Sequence, residues 1–307
     1  MLVSQDLTAL VDLGSNSVRF MLVRIMPGAG YRVLLDERVQ TRLGSGRDGI
    51  LPEEAVARTV AAVRHFLADR RREGPVRPFG IATAAIRDAV NARELLDRLE
   101  FEAGLEVEVL SGDEEARLGA LAARASLQLR DGVVVDLGGS SLQFSELRAG
   151  EPVPLGSVPL GVVRTTERFF ESDPPTPDEL GALRRTVRIT TVDLMPPARG
   201  DEPLVAIGGT ARALGRLTGR EMGPPASPPS RVSRADLQTI RAHLAGLRLE
   251  ERRQIPGLKP GRADVIVAGA VVLEELLRQG GYGALLVAEH GVRHGVLLRE
   301  TFERVRT

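Results

Sequence analysis

Strand-like segments alternate along the chain with segments whose apolar residues recur at helical spacing, and this order predicts an α/β protein. Residues 8–12 and 18–25, on either side of a turn, and residues 31–39 are rich in apolar and β-branched residues and are predicted strands. In LPEEAVARTVAAVRHFLADRRREG (51–74), apolar residues recur at helical spacing up to a closing glycine, which is typical of an amphipathic helix.

The remaining elements follow from the same patterns. Further helices are predicted over 91–104, 113–129, 176–194, 234–246 and 265–281. Further strands are predicted over 78–83, 105–110 and 203–207, and 284–305 is predicted to be a strand, a turn and a closing helix. The proline-rich segment 219–231 is predicted to be a loop, and Ser233 is predicted to cap the next helix.

A repeated sequence indicates how these elements are organised. VDLGSNSVRFMLVR (11–24) and VDLGGSSLQFSELR (135–148) align without gaps and are identical at seven of fourteen positions. A pair of similar buried hairpins is the alternative, but the identities include the Asp-Leu-Gly turn itself. We therefore predict two duplicated domains with a cleft between them, 1–128 and 129–291, and a C-terminal helix 292–307 that packs back on the first.

Composition narrows the class of protein. The 307 residues are enough for two domains, and the 41 basic and 41 acidic residues balance, which argues against general nucleic-acid binding. The absence of cysteine excludes disulfides and thiolate sites and is typical of a cytoplasmic protein. The apolar run 265–273 is far shorter than the ~20 residues of a membrane span. We therefore expect a cytoplasmic protein that does not bind membranes.

Three glycine turns carry the candidate chemistry: DLGSNS (12–17), DLGGSS (136–141) and GGTA (208–211). Each follows an apolar strand and offers backbone N–H groups that a phosphate can approach closely. Asp12 and Asp136 end the strands before two of these turns, and divalent cations prefer carboxylate oxygens as ligands. The sequence therefore predicts a phosphate site that also holds a divalent cation.

The same turns belong to a longer set of segments. They are DLGSNSVR (12–19), TRLGSG (41–46), ATAAIRDAVN (82–91), SGDEEARLG (111–119), VVDLGGSS (134–141), PLGVVRTTERF (159–169), AIGGTA (206–211), ADVIVAGAVVLEELL (263–277) and EHGVRHGVLL (289–298). In this order they resemble the exopolyphosphatase / guanosine pentaphosphate phosphohydrolase family (Ppx/GppA) of the actin-like ATPase and sugar kinase superfamily. The resemblance implies two actin-like (ribonuclease H-like) domains.

The resemblance also implies the activity and its parts. The family hydrolyses terminal phosphates of inorganic polyphosphate or guanosine pentaphosphate with Mg²⁺, and it makes a homodimer the expected assembly. By resemblance, Asp12 and Asp136 hold the metal and Glu115 activates the attacking water. The predicted phosphate-binding residues are Gly14, Ser15, Asn16, Ser17, Arg19, Arg87, Gly138, Gly139, Ser140, Gly208, Gly209, Thr210 and Arg293. An ATP-dependent kinase of the same superfamily is the alternative, but no sugar-binding segment is recognisable.

Glu115 has a second interpretation that is purely structural. Ser111 and Glu114 fit a capping box at the start of the helix 113–129, and acidic residues favour the first turn of any helix. Within the family motif SGDEEAR, however, we expect Glu115 to be the general base and Glu114 to take the capping role.

Two positions depart from the family pattern. Gln143 stands where the family has the glutamate of GGGSTE. The family segment GLREG reads GVRHG here, so His294 replaces its glutamate. Glutamine cannot act as a base, and loss of a positioned acid–base group typically costs about 10²–10⁴ in rate. Gln143 is either a polar wall residue on the strand face of Ser141 or, as we expect, a member of the catalytic site with Glu115. The alternative function is a weakly active or inactive sensor of polyphosphate or a guanosine alarmone.

Overall fold

The computed structural model describes residues 7–26, 30–46, 49–70, 76–200, 202–219 and 230–306. The chain divides into two compact units. The first unit comprises Met1–Gly112 and Arg293–Thr307, and the second comprises Asp113–Val292. Each unit is built around one mixed β-sheet.

The elements alternate along the chain as the patterns predict. The strands are β1 (Leu7–Leu13), β2 (Ser17–Met26), β3 (Gly30–Gln40), β4 (Val76–Ala82), β5 (Val107–Val109), β6 (Gly132–Leu137), β7 (Leu142–Arg148), β8 (Glu151–Val158), β9 (Leu204–Ile207), β10 (Ser230–Ser233) and β11 (Ala284–Val287). The helices are α1 (Glu53–Arg70), α2 (Ala84–Arg87), α3 (Ala92–Arg98), α4 (Gly112–Leu127), α5 (Val162–Phe169), α6 (Pro177–Thr191), α7 (Gly209–Leu217), α8 (Arg234–Ala245), α9 (Leu249–Arg253), α10 (Ile266–Gly280) and α11 (Val292–Arg306).

The two sheets share one strand order. In the first unit the order is β3-β2-β1-β4-β5, and in the second it is β8-β7-β6-β9-β11, with β10 added beyond β11. In both sheets three antiparallel strands come first along the chain, and β4 and β5 in the first sheet and β9 and β11 in the second run parallel to the first of them, whereas β10 pairs antiparallel with β11. The shared order confirms that the repeated sequence marks a duplicated domain.

Apolar helices cover one face of each sheet. In the first unit, Phe20 of β2 stacks on Phe66 of α1, with ring centroids 4.6 Å apart, within the apolar cluster on that face. In the second unit, α10 is buried along almost its whole length and packs in one cluster with Leu137 and Phe144. A helix that is apolar on all sides is stable only where neighbours surround it, which explains its central place in this unit.

The two halves of the chain exchange a helix, and one of these helices covers the other face of the second sheet. Helix α4 follows β5, yet Ala120 and Ala123 pack with Val134 and Ile207 of the second sheet. Helix α11 follows β11, yet it belongs to the first unit. The predicted boundary after residue 128 and the division after Gly112 therefore differ by α4, because amphipathic spacing does not say which sheet the apolar face of a helix covers.

Short elements escape the sequence patterns. Neither α5, α9 nor β10 is predicted, because four to eight residues hold too little periodicity. The predicted loop 219–231 lies mainly outside the described residues, and its last two residues begin β10, which becomes a strand by pairing with β11. Ser233 caps α8 as predicted, in a capping box with Asp236. Within the described part of the chain, no helix combines the length and apolar character needed to cross a membrane.

Candidate active site

The turn of the first hairpin (β1–β2) is closed by its own backbone. Gly14 N donates to the carbonyl oxygen of Ser17 at 3.2 Å, and a Cβ on Gly14 would lie 3.1 Å from that oxygen, so the turn favours glycine. The carbonyl oxygen of Ser15 accepts from Gly44 N at 2.7 Å, which ties the turn to the segment after β3. The predicted phosphate-binding residues in this rigid turn are Gly14, Ser15, Asn16 and Ser17.

The turn of the second hairpin (β6–β7) repeats this closure with a different support. Gly138 N donates to the carbonyl oxygen of Ser141 at 3.0 Å, and the Gly138 carbonyl accepts from Val162 N at 2.9 Å, at the start of α5. A Cβ on Gly161 would lie 2.3 Å from the Ser140 nitrogen, so only glycine allows α5 to begin so close to the turn. The predicted phosphate-binding residues here are Gly138, Gly139 and Ser140.

The third glycine turn lies beside the second hairpin. Gly208 has φ 100°, and a Cβ there would lie 3.1 Å from the Asp136 Oδ1 atom, so glycine admits the carboxylate to this turn. Gly209 and the buried Thr210 begin α7, whose N–H groups are suited to an anion. The second unit therefore brings two predicted phosphate turns and Asp136 together.

Arg262 is a further candidate at the third turn. A Cβ on Gly209 would lie 1.8 Å from the Arg262 Nη2 atom, so the guanidinium rests directly on the backbone of the turn. The sequence patterns do not single out this arginine. Its position immediately before the family segment 263–277 is the signal that could have found it.

Helix α4 brings a carboxylate to the same region. Gly119 allows close packing, since a Cβ there would lie 2.8 Å from the Ile207 Cδ1 atom and 3.7 Å from the Asp136 Oδ2 atom. Glu115 lies four residues earlier and therefore one turn away on the same face of the helix. Its side chain is only 4% exposed, which is unusual for a glutamate and calls for polar partners.

Gln143 provides one of those partners. It lies opposite Asp136 in the β6–β7 register and is 2% exposed. Its Nε2 atom lies 3.2 Å from Glu115 Oε2, 2.6 Å from Ser141 Oγ and 3.2 Å from Ser157 Oγ, and its two hydrogens serve two of these acceptors at a time. The structure thus brings the two predicted catalytic residues into contact. Ser157 on β8 was not predicted, because only the strand pairing places it there.

A second charged cluster lies in the first unit. Arg19 is opposite Asp12 in the β1–β2 register, and its Nη1 atom lies 3.7 Å from Asp36 Oδ2. Arg293 Nη2 lies 3.3 Å from the same Asp36 oxygen. Burial raises the pKa of the Asp12 carboxyl, and the charges of Arg293 and Arg19 oppose that rise. The predicted residues Asp12, Arg19 and Arg293 are therefore neighbours, joined by a carboxylate that the sequence patterns do not indicate.

Arg87 is held by contacts of its own. Its Nη1 atom donates to the carbonyl oxygen of Leu110 at 2.7 Å, and its Nε atom lies 3.5 Å from Asp88 Oδ1. These contacts fix the end of α2 to the segment after β5. A role of Arg87 in binding phosphate stays a prediction.

The predicted metal ligands occupy equivalent places in the two units, since Asp12 and Asp136 each stand near the end of the strand before a phosphate turn. Within the described residues, no three His, Cys, Asp or Glu side chains gather into a metal-binding group. Mg²⁺ does not need such a group, because it usually keeps several waters and binds one or two carboxylates together with substrate phosphates. The two carboxylates are of the kind that can bind Mg²⁺ in this way, and their role as metal ligands stays a prediction.

Comparison with known proteins gives one consistent result. Residues 21–303 match the model of the Ppx/GppA phosphatase family. Exopolyphosphatase 2 of Mycobacterium tuberculosis is 35% identical over 315 residues, covering 94% of this chain and 97% of that protein. An uncharacterized protein of Streptomyces coelicolor is 36% identical over 306 residues, covering 95% and 89%. The crystal structure of the Aquifex aeolicus Ppx/GppA family member matches 97% of this chain and 98% of its own, with a TM-score of 0.82 and 28% identity.

Proposed function

The chain belongs to the Ppx/GppA phosphatase family and is a hydrolase, and on this basis we propose that it releases terminal phosphate from inorganic polyphosphate. The similarity to a protein named Exopolyphosphatase 2 supports this substrate. The observation that carries the proposal is the buried contact between Glu115 and Gln143 beside two glycine turns of the second unit. It supplies a proton acceptor next to places where phosphate groups can bind.

Glu115 is the base in this proposal. Its carboxylate accepts a proton from water while the water oxygen attacks the terminal phosphorus, and the bond from that phosphorus to the bridging oxygen breaks. The bridging oxygen leaves with its electron pair on the shortened chain, and orthophosphate is the second product. Gln143 is a positioning residue, because its N–H donates to Glu115 Oε2 and limits rotation of the carboxylate.

Backbone and arginine groups bind the substrate in this proposal. The N–H groups of the three glycine turns contact phosphate oxygens, while Arg19, Arg293 and Arg262 offset the remaining charge. A Mg²⁺ ion held by Asp12 and Asp136 would neutralise phosphate charge as the bridging bond breaks.

Phosphate release from polyphosphate in the presence of Mg²⁺ tests the proposal. Glu115→Gln keeps the size of the side chain but removes the base, so we expect kcat to fall by about 10²–10⁴. Glu114→Gln is the matched control, since Glu114 lies 2.8 Å from Arg117 on the part-exposed side of α4, and we expect its activity within about twofold of the parent. The proposal is overturned if the folded parent releases no phosphate from chains of any length or from guanosine pentaphosphate.

The uncharged Gln143 favours a second candidate function, a sensor that binds polyphosphate or a guanosine alarmone with little turnover. For a sensor, the parent would bind these ligands without releasing phosphate, and binding would survive Glu115→Gln. Gln143→Glu supplies the carboxylate of the family pattern. A gain in release by orders of magnitude in that variant would identify an attenuated enzyme.

The remaining parts of the proposal concern substrate range, assembly and location. Guanosine pentaphosphate ends in the same phosphoanhydride bond and is the second substrate to assay. We propose a cytoplasmic homodimer that binds neither membranes nor nucleic acid in general, in keeping with the cysteine-free chain and its balanced charge. Light scattering after size exclusion measures the assembly.

A further inference from the structure

A row of charged residues crosses the first sheet on one face. In the strand registers, Asp12 of β1 lies opposite Arg19 of β2, and Arg19 lies opposite Arg38 of β3. Residues directly opposite in antiparallel strands point to the same face, so the two arginines are close neighbours there. Like charges in such a pair destabilise a sheet, which makes the pair costly unless something negative binds it.

The protein itself balances these charges poorly. Among the described residues, Arg38 has no ion-pair or hydrogen-bond partner, while burial and the charge of Arg19 lower its pKa. Arg19 and Arg293 share Asp36. The Arg293 side chain is 11% exposed, and its buried Nε atom has no hydrogen-bond partner in the described structure. Arg19 and Arg293 thus share one carboxylate near Asp12, the proposed metal ligand, and Arg38 adds a third guanidinium next to Arg19.

We propose that Arg38, together with Arg19 and Arg293, forms a subsite for an inner phosphate group of a condensed phosphate chain, an inference that rests on the proposed function. The row runs from β1 to β3, a distance of two strand spacings or about 10 Å. A single orthophosphate cannot bridge that length, whereas a chain of three phosphates reaches from the turn after β1 to Arg38. The subsite therefore selects for chain length.

Binding without turnover tests the subsite. Titration calorimetry with tripolyphosphate in EDTA should show that Arg38→Gln weakens binding by about tenfold, the usual effect of losing a hydrogen bond to a charged group. The affinity for orthophosphate should stay within about twofold, because the shorter anion does not reach Arg38.

Arg32→Gln is the matched control for this experiment. Arg32 lies on the same strand and pairs with Arg24, five positions along β2 from Arg19 and hence on the other face of the sheet. The Arg32→Gln substitution makes the same change in net charge as Arg38→Gln and also removes one arginine from a pair of opposite arginines. We expect its tripolyphosphate affinity to stay within about twofold of the parent.

Thermal unfolding separates binding from folding. Because Arg38→Gln removes a like-charge contact, the melting temperature of the unliganded variant should stay equal or rise by about 1–3 °C. A fall of several degrees would show that Arg38 has a structural role, and unchanged tripolyphosphate affinity would also overturn the proposal. If the parent binds tripolyphosphate through Arg38 but hydrolyses nothing, the proposed function fails and the subsite stands.

Discussion

The two hairpins of the repeat have nearly the same backbone and different chemistry. In each, a glycine N–H closes the turn on a serine carbonyl, and the aspartate before the turn stands opposite a residue of the next strand at the equivalent position of the repeat. At that opposite position the first hairpin has Arg19, which is part-exposed and paired with Asp36, and the second has Gln143, which is buried against Glu115. The two copies thus share the turn and differ in one side chain, which attracts anions in the first hairpin and orients the proposed base in the second.

Giving the second hairpin the residue of the first should have the largest effect. Gln143→Arg places a guanidinium against the Glu115 carboxylate, and the resulting ion pair holds the base away from water. We expect kcat for phosphate release to fall by about 10²–10⁴, as for loss of a general base. Steady-state kinetics at saturating polyphosphate measures this change.

The reverse exchange, Arg19→Gln, is the counterpart in the first hairpin. It removes a cation but no base, so we expect KM to rise by about tenfold with kcat within about threefold. Equal losses of kcat in Gln143→Arg and Arg19→Gln would show that the two positions have the same role, which would contradict the difference proposed between the two hairpins.

The segments that pack against the two turns differ as well, and the start of α5 lies especially close to the second turn. Gly161→Ala would bring a Cβ to 2.3 Å from the backbone of the turn, so α5 or the turn must move. We expect the free energy of unfolding to fall by about 1–3 kcal/mol, the range of overpacked sites. Urea denaturation measures it.

Gly283→Ala is the control for this effect, because nothing lies within 4 Å of the added Cβ. Its stability should stay within about 0.5 kcal/mol of the parent. Similar losses in the two variants would contradict a specific contact between α5 and the second hairpin.

The smallest expected effect on stability comes from giving the second hairpin a carboxylate beside Glu115. In Gln143→Glu, burial and the charge of Glu115 raise the pKa of the carboxyl pair in the folded state above its unfolded value. The stability loss is therefore small at acidic pH, where the pair holds its proton, and grows as pH rises above the unfolded pKa. Without metal we expect a deficit about 1–2 kcal/mol larger at pH 8 than at pH 5.

Urea denaturation of variant and parent at both pH values checks this. A deficit that is the same at pH 5 and pH 8 would mean that neither burial nor the charge of Glu115 acts on a carboxylate at position 143, and the prediction would be wrong.

Local patterns predict much of the fold. The Asp-Leu-Gly turns, most of the strands and the apolar α10 can be recognised in the sequence, because each depends on residues close together in the chain. The sequence does not show which sheet α4 packs against, since Ala120 and Ala123 indicate only that one face of the helix is buried. β10 is a strand only because β11 supplies its partner.

The candidate site divides in the same way. Glu115, Gln143 and the glycine turns follow from motifs that are continuous in sequence. Ser157, Arg262 and Arg38 are brought to their places by strand pairing or by packing between distant segments. For Arg38 the strand pattern is also disturbed, because the β2–β3 register shifts between Leu22 and Val23, so that simple alternation along β3 misassigns faces.

The exchange of α4 and α11 has a consequence for dividing the chain. The last helix of each half of the sequence belongs to the other unit, so neither half is complete on its own. A chain cut to residues 129–291 would leave Val134, Val205 and Ile207 without their cover, and a separately supplied α4 peptide is the natural ligand for that bare surface.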